Sequence, residues 1–284
     1  MQYCGRQFEL PEIECIRNLI AQQPGLSRYK LSLRTCEQLN WRRHDGRLKD
    51  MSCRVALLRM QEDGLLELPK ARRSRPVTYG HHPDIESEVL PPLEIQEFKL
   101  DQLRVEPVLQ KRDSRLWNAY IQRHHYLGHQ LMPGAQLRYF VRAESQVVAA
   151  LSFGASAWKV APRDDHIGWT VEQRKRNLHL IVNNARFLIM PWIRRQNMAS
   201  KILALVSRRI ADDWQTRYSY RPVLIETFVE DGRFRGTCYK AANWQCLGKT
   251  QGRGKLDRYK RYALPVKSIW VYPLSFDFRS SLCC

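Results

Sequence analysis

The chain has 284 residues and carries 47 Lys and Arg against 28 Asp and Glu, a formal charge of +19. That excess makes a polyanion the expected partner, nucleic acid and DNA first, because neutralising phosphates releases counterions. No run is long enough to cross a bilayer and no signal peptide opens the sequence, so no membrane partner is expected and the expected location is the cytoplasm.

Charge is unevenly placed. Residues 1–80 carry fifteen basic residues against nine acidic, residues 81–106 two against seven, and residues 107–284 thirty against twelve. The expected organisation is a first domain over residues 1–83, an acidic proline-containing linker over 84–107 and a second domain over 108–284. The eight cysteines show no CxxC pair, which argues against a zinc site, no metal ligands are assigned, and Cys15, Cys36 and Cys53 read as reduced thiols at apolar helical positions.

In the first domain, residues 11–22 place Ile13, Ile16, Leu19 and Ile20 on one helical face, with Pro11 in the first turn. A second helix is expected over residues 27–40, capped by Ser27, and a third over 50–62, capped by Asp50. LLELP after Gly64 reads as a short strand, and three helices followed by a strand is the order of a winged helix-turn-helix. The third helix would then enter the major groove with Arg54 and Arg59 outward, Lys49 at the approach, and Val55, Leu58 and the methionines facing the core. Lys70, Arg72, Arg73 and Arg75 would form the wing. A domain of this shape used for protein contacts is the alternative.

The second domain reads as a helix at residues 117–128, a β-hairpin over 137–153 turning at AESQ, and a helix starting between 168 and 175. Residues 181–205 follow as strand, loop and helix, broken at Pro191. A strand at 222–229, a short helix in GTCYKAANW and a late strand in SIWVYPL complete it. The loop after Pro191 presents a helix N-terminus, whose unpartnered amides suit an anion, beside Arg194 and Arg195.

Metal-assisted phosphodiester chemistry needs converging carboxylates, and the candidates are Asp164, Asp165, Glu226, Glu230 and Asp231. Glu226 lies inside an apolar strand, where an arginine partner is the competing reading, and Asp164 and Asp165 read as solvated in a polar loop. His124, His125 and His129 are acid or base candidates. The basic loop over 249–262 supplies Lys249, Arg253, Lys255, Arg258, Lys260 and Arg261, with tyrosines able to stack on bases.

The element order resembles the fold of GCN5-related N-acyltransferases. In that family's pyrophosphate loop, Arg194, Asn197 and Ala199 of RRQNMA would occupy the motif positions, with asparagine where the family has its first glycine. The resemblance also implies that Tyr239 is a general acid. The fold class expected is therefore α+β, a winged helix-turn-helix followed by an acyltransferase-like α/β domain. The second domain further resembles the DruA proteins of the bacterial Druantia anti-phage systems and their mobile-element relatives. The matching segments are HHYLG (124–128), RDDHIGW (163–169), RNLHLIVNNARFLI (176–189), NMASKIL (197–203), ETFVE (226–230) and GTCYKAANWQCLGKTQGRGK (236–255).

That resemblance implies a defence or mobile-element role alongside other defence proteins. The leading expectation is a DNA-binding component using the third helix and the basic loop. The alternatives are a nuclease or transposase-like enzyme using Glu226 and Asp164, with Tyr239 and His124 as further catalytic candidates, and an acyl-CoA-dependent N-acyltransferase. No cofactor is assigned.

Overall fold

A computed structural model describes residues 1–70, 89, 97–132, 134–252 and 264–284, and the chain divides into two compact units, Met1–Gly80 and His81–Cys284. In the first, β1 (Gln2–Tyr3) and β2 (Arg6–Gln7) pair antiparallel, followed by α1 (Leu10–Gln22), α2 (Arg28–Gln38) and α3 (Asp50–Glu62). Ser27 caps α2 by accepting from the Lys30 amide, as its position predicts.

Three first-unit expectations are corrected. Lys49, not Asp50, is the residue before α3, and Asp50 opens its first turn. The core face of α3 is Cys53, Ala56, Leu57 and Met60, whereas Met51, Val55 and Leu58 are exposed. LLELP is not a strand: Leu66 and Leu68 are buried, but the Leu68 amide donates to the Gln61 side chain at 3.1 Å instead of joining a ladder. Residues 39–49 connect α2 to α3 and close an Arg42–Leu48 bridge, a longer link than the three- or four-residue turn of a helix-turn-helix. Arg72, Arg73 and Arg75 lie outside the described residues.

The second unit is a seven-stranded sheet in the order β3-β4-β5-β6-β7-β9-β8. Its strands are β3 (Leu103–Pro107), β4 (Gln136–Ala143), β5 (Gln146–Ala155), β6 (Ile181–Ile189), β7 (Leu224–Glu230), β8 (Gln245–Lys249) and β9 (Lys267–Pro273). Among the described residues β6 and β7 pair in parallel and the other pairings are antiparallel. Its helices are α4 (Lys111–His124), α5 (Ala161–Ile167), α6 (Val171–Asn177), α7 (Met198–Tyr218), α8 (Thr237–Ala241) and α9 (Phe278–Cys283). The result is a mixed α+β unit built on a mostly antiparallel sheet.

Part of the expected linker is strand. Leu103 and Val105 are buried in alternation with exposed Arg104 and Glu106, and Pro107 is tolerated because β3 is an edge. Alternate residues along the central strands enter different apolar clusters. Val182, Ile225 and Trp270 join the large cluster under α4 and α7, while Ile181, Leu224 and Val271 join a smaller one with Ile167 and Phe278. Because neighbouring strand residues face opposite ways, the two clusters lie on opposite faces of the sheet.

Candidate ligand cleft between two diverging strands

The parallel pairing of β6 with β7 ends at Asn183 and Glu226, although the strands continue to Ile189 and Glu230. A β-bulge sets the divergence. Against β5, Ser152 faces Arg186 and Phe153 faces Asn184, so Ala185 is an extra residue in β6, and such insertions bend a strand. The buried Asn184 side chain supports the bulge by donating to the Ser152 and Arg186 carbonyls, both at 3.1 Å. Its Oδ1 accepts from the Tyr239 hydroxyl at 3.1 Å.

A cavity of about 540 Å³ occupies the opening. Its walls are Asn184 to Ile189 of β6 without Arg186, Thr227 to Val229 of β7, His124 to Leu127 at the end of α4, Arg233, Phe234 and Gly236 of the β7–α8 connection, and Cys238 and Tyr239 of α8. Pro191 and Ala199 reach it from the β6–α7 loop. Gly236 is required at its place: with φ +69°, a Cβ would fall 2.7 Å from Trp270 Cζ2.

The cleft holds several titratable groups. Burial, with Arg186 adding to it, pushes the His125 imidazole down to about 4, so it is neutral at neutral pH. Its Nδ1 accepts from the Leu127 amide at 3.2 Å, which leaves the neutral ring's proton on Nε2. Burial raises the Tyr239 hydroxyl and the Cys238 thiol, keeping both protonated. His124 Nε2 lies 2.7 Å from the Val89 carbonyl.

The four catalytic candidates separate into two places. Tyr239 and His124 line the cleft, whereas Glu226 and Asp164 belong to a buried ion chain beside it. Glu226 Oε2 meets Arg163 Nη1 at 2.7 Å and its Oε1 accepts from the Ala157 amide at 2.8 Å. Arg163 continues to Asp164 at 2.7 Å, and Asp164 to Arg174 at 3.1 Å. Asp164 is therefore not a solvated loop residue. It lies in the first turn of α5, and its Oδ2 also accepts from the Val160 amide at 3.2 Å. Among the described residues no group of three or more His, Cys, Asp or Glu is placed to hold a metal ion.

At the β6–α7 loop, Asn197 adopts the left-handed conformation with φ 59°, the role a glycine would fill. Arg194 is exposed, while Arg195 donates to the Phe98 carbonyl and lies 5.4 Å over the Phe98 ring. Lys249, at the end of β8, pairs with Asp231 at 2.8 Å. Arg253, Lys255, Arg258, Lys260 and Arg261 lie outside the described residues. In the first unit Arg59 is exposed, Lys49 is half-buried, and Arg54 reaches Asp50 at 3.4 Å.

Five of the segments on which the DruA resemblance rests contribute to this cleft: HHYLG, RNLHLIVNNARFLI, NMASKIL through Ala199, ETFVE, and the start of GTCYKAANWQCLGKTQGRGK. The family model described as "Druantia protein DruA" matches residues 61–263. The chain belongs to the DruA family. No curated protein sequence matches it. Among solved structures, the DruA-family chain is similar to the ribosomal-protein-S18-alanine N-acetyltransferase of Escherichia coli, at 10% identity over 61% of this chain and 94% of that one, with a TM-score of 0.39. A Drosophila melanogaster polyamine N-acetyltransferase matches at 12% identity over 60% and 99%, also with a TM-score of 0.39. A Bacillus subtilis acetyltransferase in complex with CoA matches at 8% identity over 61% and 99%, with a TM-score of 0.35.

Arg163, Asn184, Tyr126, Arg233 and Phe234 are site residues that the sequence does not single out, whereas His125 is among its acid or base candidates. For Arg163 one signal existed: an isolated glutamate in an apolar strand asks for a cation, and the arginine partner weighed against the metal role is the one observed.

Proposed function

We propose that this chain is a nucleic-acid-binding protein of bacterial anti-phage defence, or of a related mobile element, and that it holds the strand across the mouth of the cleft. Membership of the DruA family supports the biological setting. The observation that carries the binding reading is the cationic rim. The two connections framing the cleft, residues 190–197 and 231–236, carry exposed Arg194, Arg195, Arg233 and Arg235 against Asp231, whose carboxylate already faces Lys249. Arg195 is engaged by the Phe98 carbonyl and Arg233 meets Glu230 at 3.6 Å, so Arg194 and Arg235 carry most of the attraction. The surrounding excess of +19 adds long-range attraction for a polyanion. The test is affinity for single-stranded and duplex oligonucleotides in rising salt. If six phosphates are contacted, passing from 50 to 200 mM weakens binding by roughly a thousandfold. Binding that ignores salt overturns the reading.

A second reading, acyl transfer from acyl-coenzyme A, is favoured by the diverging strands themselves. Their facing backbone groups could pair with the amides of an extended ligand, and the left-handed Asn197 opens the first amides of α7 towards a phosphate. The Tyr239 hydroxyl bonded to Asn184 counts against it, because a general acid must aim its proton at the leaving thiolate.

A further inference from the structure

The mouth of the cleft is aromatic as well as cationic. His125 stacks on Tyr126 with ring centroids 4.8 Å apart, and the Arg233 guanidinium lies 4.7 Å over the same Tyr126 ring. Phe234 leans on Tyr126 at 5.4 Å, yet remains 50% exposed. An exposed phenylalanine beside an arginine, at the entrance of a largely apolar cavity, is costly to leave in water and has the composition of a stacking platform. Behind it lie Phe187, Phe228 and Val229, so a flat ring entering from solvent would meet apolar walls. At the entrance, the Nε2–H of neutral His125 offers a donor to the polar edge of such a ring.

We propose that this cleft takes one unpaired nucleobase of a single-stranded nucleic acid, which stacks on the exposed Phe234 ring, itself inclined 59° to Tyr126, while Arg233 and Arg235 hold the flanking phosphates. The proposal rests on the nucleic-acid reading above and adds to it which form of the polymer is bound, and where. Charge complementarity selects the occupant. A neutral aromatic metabolite would use the platform but not the rim, whereas a base on its phosphate strand uses both. In a duplex the bases are stacked and paired, so entry requires a single strand or an extruded nucleotide.

The test uses the full chain and a single-stranded oligonucleotide carrying one central 5-iodouracil, a base that cross-links on irradiation to an aromatic side chain stacked on it. The expected result is a cross-link to Phe234 or Tyr126, single-strand binding tighter than duplex binding, and loss of affinity by about 5- to 150-fold in Phe234→Ala. Phe234 is half exposed, so that variant folds, and Phe234→Tyr is expected to restore binding. If the oligonucleotide binds with the expected salt dependence but cross-links only elsewhere and Phe234→Ala binds normally, the base site is overturned and the electrostatic reading stands. If no oligonucleotide binds at all, both fall. If acetyl-coenzyme A present at micromolar concentration before irradiation prevents the cross-link from forming, the cleft belongs to the cofactor and the base site is overturned.

Discussion

Arg163 Nη1 lies 2.7 Å from Glu226 Oε2, and both side chains are fully buried. The pair is part of a chain of four charges, Glu226, Arg163, Asp164 and Arg174, whose sum is zero. Arg163 also donates to the Ala157 carbonyl at 2.8 Å and lies 5.7 Å from the Trp169 ring. Burial pushes the Glu226 carboxyl up while Arg163 and the Ala157 amide pull it down, so the carboxylate depends on its partners. This chain ties the start of α5 to the strand that forms one wall of the cleft.

Breaking that chain on one side is expected to be severe. Arg163→Met strands the carboxylates of Glu226 and Asp164 in the interior and should cost about 3–5 kcal/mol in urea unfolding. Glu226→Gln keeps shape and most hydrogen bonds and should cost less, about 1–3 kcal/mol. A glutamate serving as a metal ligand would behave differently: Glu226→Gln would leave stability intact and abolish a divalent-cation-dependent activity. That result would return Glu226 to the catalytic reading.

Gly236 is the second sensitive position. It holds φ +69° at the residue before α8, and the face where a side chain would project is filled by the Trp270 indole. Gly236→Ala combines left-handed strain with overpacking, for an expected loss of about 2–4 kcal/mol. A loss below about 0.5 kcal/mol by chemical denaturation would mean that Trp270 moves freely, and that the cleft wall is softer than its packing implies.

Sequence legibility followed the range of the interactions. The strand, loop and helix at β6 and α7 were readable because a β-branched apolar run, Pro191 and a helix-forming run signal locally. Strand β3 was hidden because Pro107 and the surrounding acids outweighed the alternation of Leu103 and Val105. On α3 the sequence offers two apolar stripes, and packing chose the one built from Cys53, Ala56, Leu57 and Met60. Of the ion chain only Glu226 is legible, as a strand glutamate that asks for a cation; which arginine answers is not, since Arg163 finds Glu226 across 63 residues and hydropathy gives no reason to bury an arginine. Tyr239 lines the cleft from a local motif, GTCYKAANW, whereas the aromatic mouth depends on residues 126 and 234 meeting in space.

His125 ties stability to pH. Its imidazole is depressed to about 4 in the fold against about 6.5 in the unfolded chain, so between these values the unfolded state binds the extra proton. The contribution is fully present above pH 6.5 and is lost as pH falls through 4. Partial exposure screens the group, and the expected loss is on the order of 1–2 kcal/mol. His125→Gln should flatten the acid limb of a stability-versus-pH curve, and an unchanged limb would place the titration on another group.

The first unit gives a separate prediction. Arg59 is exposed on α3, while Arg54 is occupied by Asp50 and lies 5.5 Å over the Tyr29 ring. If α3 meets DNA, Arg59→Ala should lower the slope of log affinity against log salt by about one, with Arg54→Ala doing less. The exposed Met51, Val55 and Leu58 on the same helix define the opposite outcome. Unchanged DNA binding in the double variant, with those apolar residues still uncovered, would make this unit a protein-contact module.

The two arginines of the β6–α7 loop should differ from each other. Arg195 is engaged with the Phe98 carbonyl and ring, so Arg195→Ala is expected to act through local packing, with a modest loss of stability and little change in salt slope. Arg194 is exposed beside the opened amides of α7, so Arg194→Ala should lower the salt slope of DNA binding by about one. Asn197 accepts the left-handed turn but keeps a Cβ where the backbone would have to approach a pyrophosphate most closely, so calorimetric titration with acetyl-coenzyme A should show no micromolar binding. Asn197→Gly removes that obstacle without changing the backbone the turn requires. Tight cofactor binding by the native chain, with DNA affinity indifferent to Arg194, would reverse the ranking and make acyl transfer the leading function. Binding gained only in Asn197→Gly would instead show that this one side chain keeps the cofactor out.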